Sequence, residues 1–306
     1  MPDVRDCFVD LRGLPFHYRD WGGNGPEVLL LHGLSSNCHI WDLVAPLLAR
    51  RFQVVGLDQR GHGDSSKPDE GYDFATVLQD LLDFIAACGL ERPLVVGHSW
   101  GANVALALGS KHPEAASGLV WIDGGFTPFA LRPGATWEQV KRDLAPPDLT
   151  RLTMEQLVAR ARERRWGDLW RPEVETVLRH SFDTHADGTI RPRLRREWHM
   201  QALWALWEQG RQDLLPTVRL PVLLLPVRSG GSQERRGVSK EQEVAGAQAL
   251  LPRARTVWLE DSIHDVPLQR PERVATAICQ AWDEGFFRPE PARQAQESRH
   301  GEVGRP

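Results

Sequence analysis

Pro93-Leu94-Val95-Val96-Gly97-His98-Ser99-Trp100-Gly101-Ala102-Asn103-Val104-Ala105 is the stretch that decides the fold. Its first half is an apolar, β-branched run of strand length. Its second half opens a helical pattern that runs from Trp100 to Lys111 and stops before Pro113. Between them, Gly97-His98-Ser99-Trp100-Gly101 fits G-x-S-x-G. Such a pattern recurs by chance, and a serine before a helix is also an ordinary cap. Its place between a buried strand and a helix gives it weight. Small residues at 97 and 101 let strand and helix approach. The turn lifts the Ser99 hydroxyl off the sheet and aims free helix N–H groups at it.

The units on either side repeat this alternation. Asp6–Leu11 and Leu14–Trp21 read as a hairpin turning near Gly13. Glu27–His32, Phe52–Asp58, Pro93–His98 and Gly118–Asp123 are nearly continuous apolar runs, which suit strands buried on both faces of a parallel sheet. Ile40–Arg50, Phe74–Cys88 and Trp100–Lys111 have helical periodicity. Strands alternating with helices predict an α/β protein with a mostly parallel sheet. The rhythm stops at Phe126–Leu215, an Arg- and Trp-rich segment with no strand-like run. Helices are predicted there near Thr153–Arg165, Pro172–His180 and Arg195–Gln209. The alternation resumes with strand Pro221–Val227, helix Lys240–Leu250, strand Arg255–Glu260 and helix Pro271–Trp282. The expected organisation is a core of residues 1–125 and 216–287, a helical insertion at 126–215, and a polar, disordered tail at 288–306.

Composition narrows the function. The 306 residues are 41% hydrophobic and 25% charged, enough for one large core. A net charge of -4 argues against a nucleic-acid partner. No apolar run approaches the roughly 20 residues of a membrane span. The charged N-terminus lacks a signal-peptide pattern, so the sequence predicts a cytoplasmic protein. Cys7, Cys38, Cys88 and Cys279 are scattered and read as free thiols, with no metal-ligand spacing.

His32-Gly33-Leu34-Ser35-Ser36, Asp58-Gln59-Arg60-Gly61-His62-Gly63-Asp64-Ser65-Ser66, the Ser99 turn and His264-Asp265 together resemble the α/β-hydrolase superfamily in order and spacing. The resemblance runs from about Val9 to Trp282 and is weakest in the insertion. It implies a mostly parallel eight-stranded sheet flanked by helices, with residues 126–215 as a helical lid after the sixth strand. It implies Ser99 as nucleophile, His264 as base, and the backbone N–H groups of Leu34 and Trp100 as oxyanion donors. His62 and Arg60 read as structural, bracing the turn beneath the site, and His98 as a packed, hydrogen-bonded side chain.

The acid departs from the common pattern. Many relatives carry it after the seventh strand, where this chain has Arg228-Ser229-Gly230-Gly231 and no carboxylate before Glu234. Others carry it after the sixth strand, where Trp121-Ile122-Asp123-Gly124-Gly125 supplies Asp123. Asp123 is the expected acid and Glu234 the alternative, with an ordinary turn aspartate as the plain reading of Asp123.

The resemblance implies a cofactor-independent serine hydrolase of carboxylic esters, acting through an acyl-enzyme on a small hydrophobic substrate. Lactonase activity is the nearest alternative, and C–C bond or amide cleavage is another. A cofactor-free perhydrolase or oxidative enzyme, or a non-catalytic ligand-binding protein, stays open on the same fold. Epoxide hydrolases and haloalkane dehalogenases of this fold use an aspartate nucleophile, which Ser99 argues against. Six of the twelve tryptophans fall in the insertion, and Met200, Leu203, Trp204 and Trp207 recur at helical spacing. This stripe is expected to dock the insertion on the core. Ser35, Phe126 and Trp204 are the candidate pocket residues.

Overall fold

The computed structural model describes residues 4–126, 130, 134–166, 170–210, 213–228 and 239–288. The expected tail and Glu234 lie outside the described residues, apart from Arg288.

The first strands, β1 (Arg5–Leu11) and β2 (Leu14–Gly22), form the hairpin, turned through Arg12 and Gly13 at positive φ. β3 (Glu27–Leu31) follows. The predicted helix at 40–50 is instead a 3₁₀ turn over Cys38–Trp41 and a single α turn, α1 (Ala45–Leu48). Pro46 explains the break, because it has no N–H to bond backwards and suits only a first turn. Next come β4 (Gln53–Leu57), α2 (Phe74–Ala87), β5 (Leu94–His98), α3 (Trp100–Lys111) and β6 (Gly118–Ile122). Helix α2 is set by Asp73, whose carboxylate accepts from the Ala75 and Thr76 N–H groups, and by Gly89 beyond its end at φ 64°.

The segment after β6 contains α4 (Trp137–Leu144), α5 (Met154–Ala161), α6 (Pro172–Ser181), β7 (Phe182–Thr184), β8 (Ile190–Pro192) and α7 (Arg196–Gln209). Helix α5 starts with a reciprocal cap between Thr153 and Gln156, then widens into a π turn over Arg162–Trp166 rather than continuing to 165. The β7–β8 hairpin corrects the expectation of an all-helical insertion. Its strands are only three residues long, too short for a readable alternation, and Gly188 at φ 82° turns them.

The chain then re-enters the sheet through β9 (Val222–Leu225) and β10 (Val227–Arg228), followed by α8 (Lys240–Leu250), β11 (Ala254–Thr256), β12 (Leu259–Glu260), α9 (Val266–Gln269) and α10 (Pro271–Asp283). The predicted strands 221–227 and 255–260 are each broken in two. Pro226 lacks a donor, so the ladder with β6 ends at Leu225, and β10 pairs only with β12. The eight-stranded sheet has the order β1-β2-β4-β3-β5-β6-β9-β11 and is parallel from β4 to β11. Successive strand residues serve opposite faces: Leu29 and Leu31 join the core under α2 and α3, and Val28 and Leu30 join the core with α10.

Leu203, Leu206 and Trp207 of α7 are buried in the first of these cores, with Trp137 packed against it. Among the described residues no helix is long and apolar enough to cross a membrane.

Candidate active site

Ser99 sits between β5 and α3 at φ 53° and ψ -116°, a conformation L-residues avoid. The flanking glycines make the turn possible. A Cβ on Gly97 would stand 2.3 Å from the Gly101 carbonyl oxygen, and one on Gly101 would stand 2.3 Å from that of Leu31. The Ser99 N–H donates to the Ile122 carbonyl at 2.8 Å, tying the turn to the end of β6. Gly124 packs against it so closely that a Cβ there would lie 2.2 Å from the Ser99 carbonyl oxygen.

His264 lies on the loop between β12 and α9, and its ring reaches both neighbours. Its Nε2 is 3.0 Å from Ser99 Oγ, and its Nδ1 is 2.6 Å from Asp123 Oδ2. Asp123 follows β6 at φ 45° with its side chain 4% exposed. Its Oδ1 accepts from the Val227 N–H at 3.2 Å and from Lys240 Nζ at 2.8 Å. Burial pushes this carboxyl up, but the bonds from His264 and Lys240 outweigh it and hold it well below the usual carboxylate range. The imidazole can therefore carry its proton on Nδ1 towards Asp123 and accept from Ser99 on Nε2.

Residues that sequence reasoning read only as structure, or missed, hold this chain in place. Buried His98 has Nε2 2.8 Å from the His264 carbonyl, so Nε2–H donates to it. Burial pushes His98 down to about 4, which keeps it neutral. Buried Gln269 spans the loop, accepting from the Ile263 N–H at 2.7 Å and donating to the Asp261 carbonyl at 3.3 Å. Nothing local in the sequence marks Gln269 or Lys240, because their partners are brought by loop closure.

Leu34 follows β3 on a loop held close to Ser99. A Cβ on Gly33 would be 3.2 Å from Ser99 Cβ. Among the described residues the Leu34 N–H makes no backbone hydrogen bond, and Trp100 opens α3, where the first N–H groups have no partner within the helix. Ser35, at φ 62°, fixes the loop from both sides. Its N–H donates to His62 Nε2 at 3.2 Å, and its Oγ is 2.8 Å from His199 Nδ1 of α7. His62 donates through Nδ1 to the Arg60 carbonyl and stacks on Trp100, while Arg60 grips buried Asp80 with two bonds of 2.7 Å.

A cavity of about 1330 Å³ opens beside Leu34, Ser35 and Ser36. Its wall includes Leu149, Phe182, Leu194 and five arginines, Arg142, Arg191, Arg193, Arg195 and Arg196. Trp204 is not among its lining residues. It is 45% exposed, stands edge-on to Trp137, and borders a separate groove with Phe74 and Met200. Phe126 is buried in the core beneath the sheet end.

His17, Cys38 and Asp58 bring three ligand-type atoms within 4.8 Å. The carboxylate there is already engaged. Asp58 accepts from the Cys38 N–H at 2.7 Å, from the Asp64 N–H at 3.0 Å and from His17 Nδ1 at 2.8 Å. Gly63 also packs onto it with no room for a Cβ. The carboxylate thus ties β2, the Cys38 turn and the Asp64 loop together.

A family model described as the alpha/beta hydrolase fold matches residues 26–215, more than half of the chain. The chain belongs to the α/β-hydrolase family. Its sequence is similar to a fluoroacetate dehalogenase from Burkholderia sp., 39% identical over 33% of this chain and 35% of that protein. It is also similar to a 2-(acetamidomethylene)succinate hydrolase from Mesorhizobium japonicum, 34% identical over 40% of this chain and 42% of that protein. The chain thus matches less than half the length of these curated relatives. Among solved structures, an E-2-(acetamidomethylene)succinate hydrolase has TM-score 0.73 at 24% identity, covering 92% of this chain and all of that one. At that identity the likeness shows the shared fold.

Proposed function

We propose that this α/β-hydrolase is a serine hydrolase that cleaves carboxylic esters through an acyl-enzyme. The observation that carries the reading is the continuous bonded chain Ser99–His264–Asp123. Ser99 Oγ attacks the carbonyl carbon while His264 Nε2 takes its proton. The resulting oxyanion accepts from the Leu34 and Trp100 N–H groups, each donor lowering the barrier by about 3 kcal/mol. The tetrahedral intermediate expels the alcohol, which takes the proton from His264. Water, deprotonated by the same imidazole, then releases the acid and regenerates Ser99. Asp123 holds the Nδ1–H tautomer and balances the imidazolium. In this reading residues 126–215 form a lid over a core of 1–125 and 216–287. Ser35 borders the cavity beside Leu34, whose lining residues do not include Ser99 or His264, and no cofactor takes part.

The relatives named as a dehalogenase and, from Corynebacterium sp., a soluble epoxide hydrolase do not carry this reading, because the bonded nucleophile here is a serine. Amide cleavage is a second reading. It is favoured by the similarity to the 2-(acetamidomethylene)succinate hydrolase. The test is labelling with a fluorophosphonate, followed by turnover on matched panels of esters, lactones and amides, neutral and anionic. Covalent mass on Ser99 with ester turnover supports the proposal. Absence of labelling at Ser99 refutes it. Turnover confined to amides moves the assignment to the second reading.

A further inference from the structure

We propose that Lys240 is a positioning residue that orients the Asp123 carboxylate towards His264 and shares its charge, an inference that rests on the serine-hydrolase reading. Lys240 Nζ reaches Asp123 Oδ1 at 2.8 Å and the Val227 carbonyl at 3.1 Å, so it bridges the end of β6 to β10. With Val227 N–H on the same oxygen, Oδ1 is fully engaged and Oδ2 is left facing His264. Lys240 is one of only four lysines, and it stands at the first position of α8, just after its Ser239 cap. A cation in a first helical turn is unfavourable. Its neighbours Glu241 and Glu243 follow the usual preference, and Lys240 does not. The contact with a buried carboxylate explains the exception.

The charge has a chemical consequence. During acyl transfer His264 becomes a cation beside Asp123. A carboxylate shared with Lys240 stabilises that cation less than one facing His264 alone. Lys240 therefore competes with the imidazolium for the charge of Asp123, and the pH dependence of Ser99 reactivity reads out that competition. The other groups facing this centre do not substitute for it. His98, from β5, is held neutral by burial, with its ring 4.8 Å from that of His264. Arg228, on β10, is engaged with Glu241 and Glu260. Asp265, next to His264, adds negative charge and acts in the opposite direction to Lys240.

The test is the pH dependence of Ser99 labelling by a fluorophosphonate in the full chain, which needs no knowledge of the substrate. For Lys240→Met the rising limb is expected to move up by about half to one pH unit, the size left after solvent screening of a partly exposed cation. Its plateau rate is expected to fall about 3- to 10-fold as the carboxylate loses its anchor. Lys240→Gln keeps a donor without the charge, so its limb shifts similarly while its plateau stays close to wild type. Lys240→Arg restores the wild-type limb. Limbs that coincide in wild type, Met and Gln variants overturn the inference and leave the nucleophile assignment standing. Failure of the wild-type protein to label at Ser99 overturns both. If Lys240→Met does not fold, the Gln and Arg variants decide the question: a shifted limb in Gln alone supports the role, and coincident limbs overturn it.

Discussion

Two serine–histidine pairs are in hydrogen-bond contact among the described residues, and in the proposed reading only one is a nucleophile. Ser99 and His264 are 3.0 Å apart, and Ser35 and His199 are 2.8 Å apart. The difference lies in what stands behind each ring. Behind His264 is the buried carboxylate of Asp123 at 2.6 Å, which can balance an imidazolium. Behind His199 is the Leu144 carbonyl at 3.2 Å, which fixes a tautomer but offers no charge. Burial also pushes His199 down to about 4, so it resists the protonation that proton transfer requires. In the proposed reading the first pair carries out acyl transfer. The second fastens the Leu34–Ser35 loop to α7.

The two pairs should differ most at their serines. Ser99→Ala is expected to lower ester kcat by about six orders of magnitude, as loss of a triad serine does elsewhere, and to abolish fluorophosphonate labelling. Ser35→Ala is expected to change kcat by less than about tenfold. Labelling that survives in Ser99→Ala and vanishes in Ser35→Ala would reverse the roles of the two pairs.

The carboxylate comes next. Asp123→Asn keeps the shape but favours the wrong His264 tautomer, so kcat is expected to fall about 10⁴-fold. Glu234→Gln is expected to leave steady-state rates within about threefold. The opposite ranking of these two variants would move the acid away from β6.

A smaller effect sharpens the structural role of the second pair. His199→Phe removes the Ser35 bond from the loop that carries the Leu34 N–H. It is expected to lower kcat about 3- to 30-fold with little change in KM, because the oxyanion donor matters in the transition state. Unchanged kcat with a raised KM would show that His199 shapes the pocket instead.

The smallest effect is a pH dependence of stability. Burial holds His98 and His199 down to about 4, and burial with repulsion from His32 holds His62 down to about 3. In the unfolded chain each takes a proton near pH 6.5, about the ordinary histidine value. Between these limits the unfolded state binds more protons than the folded one, so stability rises with pH. The contribution is fully present above about pH 6.5 and is lost as the pH falls towards 4. Thermal unfolding followed from pH 7.5 to 4 should show Tm falling through that window, with a shallower fall in His199→Phe. A Tm independent of pH there would mean that these rings are not held neutral.

The sequence by itself determined what local geometry dictates. The alternation of apolar strands and amphipathic helices specified the α/β sheet, because side-chain periodicity is a property of each segment. Gly97 and Gly101 specified the Ser99 turn, because no Cβ fits at either position. Asp123 stood out in the sequence as the candidate acid, from its place at the end of an apolar run before two glycines, and its carboxylate lies 2.6 Å from His264 Nδ1. The short pieces were not legible. Pro46 and Pro226 break segments whose apolar pattern reads as continuous, and three-residue strands carry too few side chains to show a period. Only the tertiary structure decided that Lys240 sits on Asp123 and His199 on Ser35, partners 117 and 164 residues apart. It also decided that Trp204 faces a separate groove rather than the cavity beside Leu34. A side chain's type states which bonds it is able to make. Which of them it makes depends on register and loop closure across the whole sheet, and no local pattern encodes that.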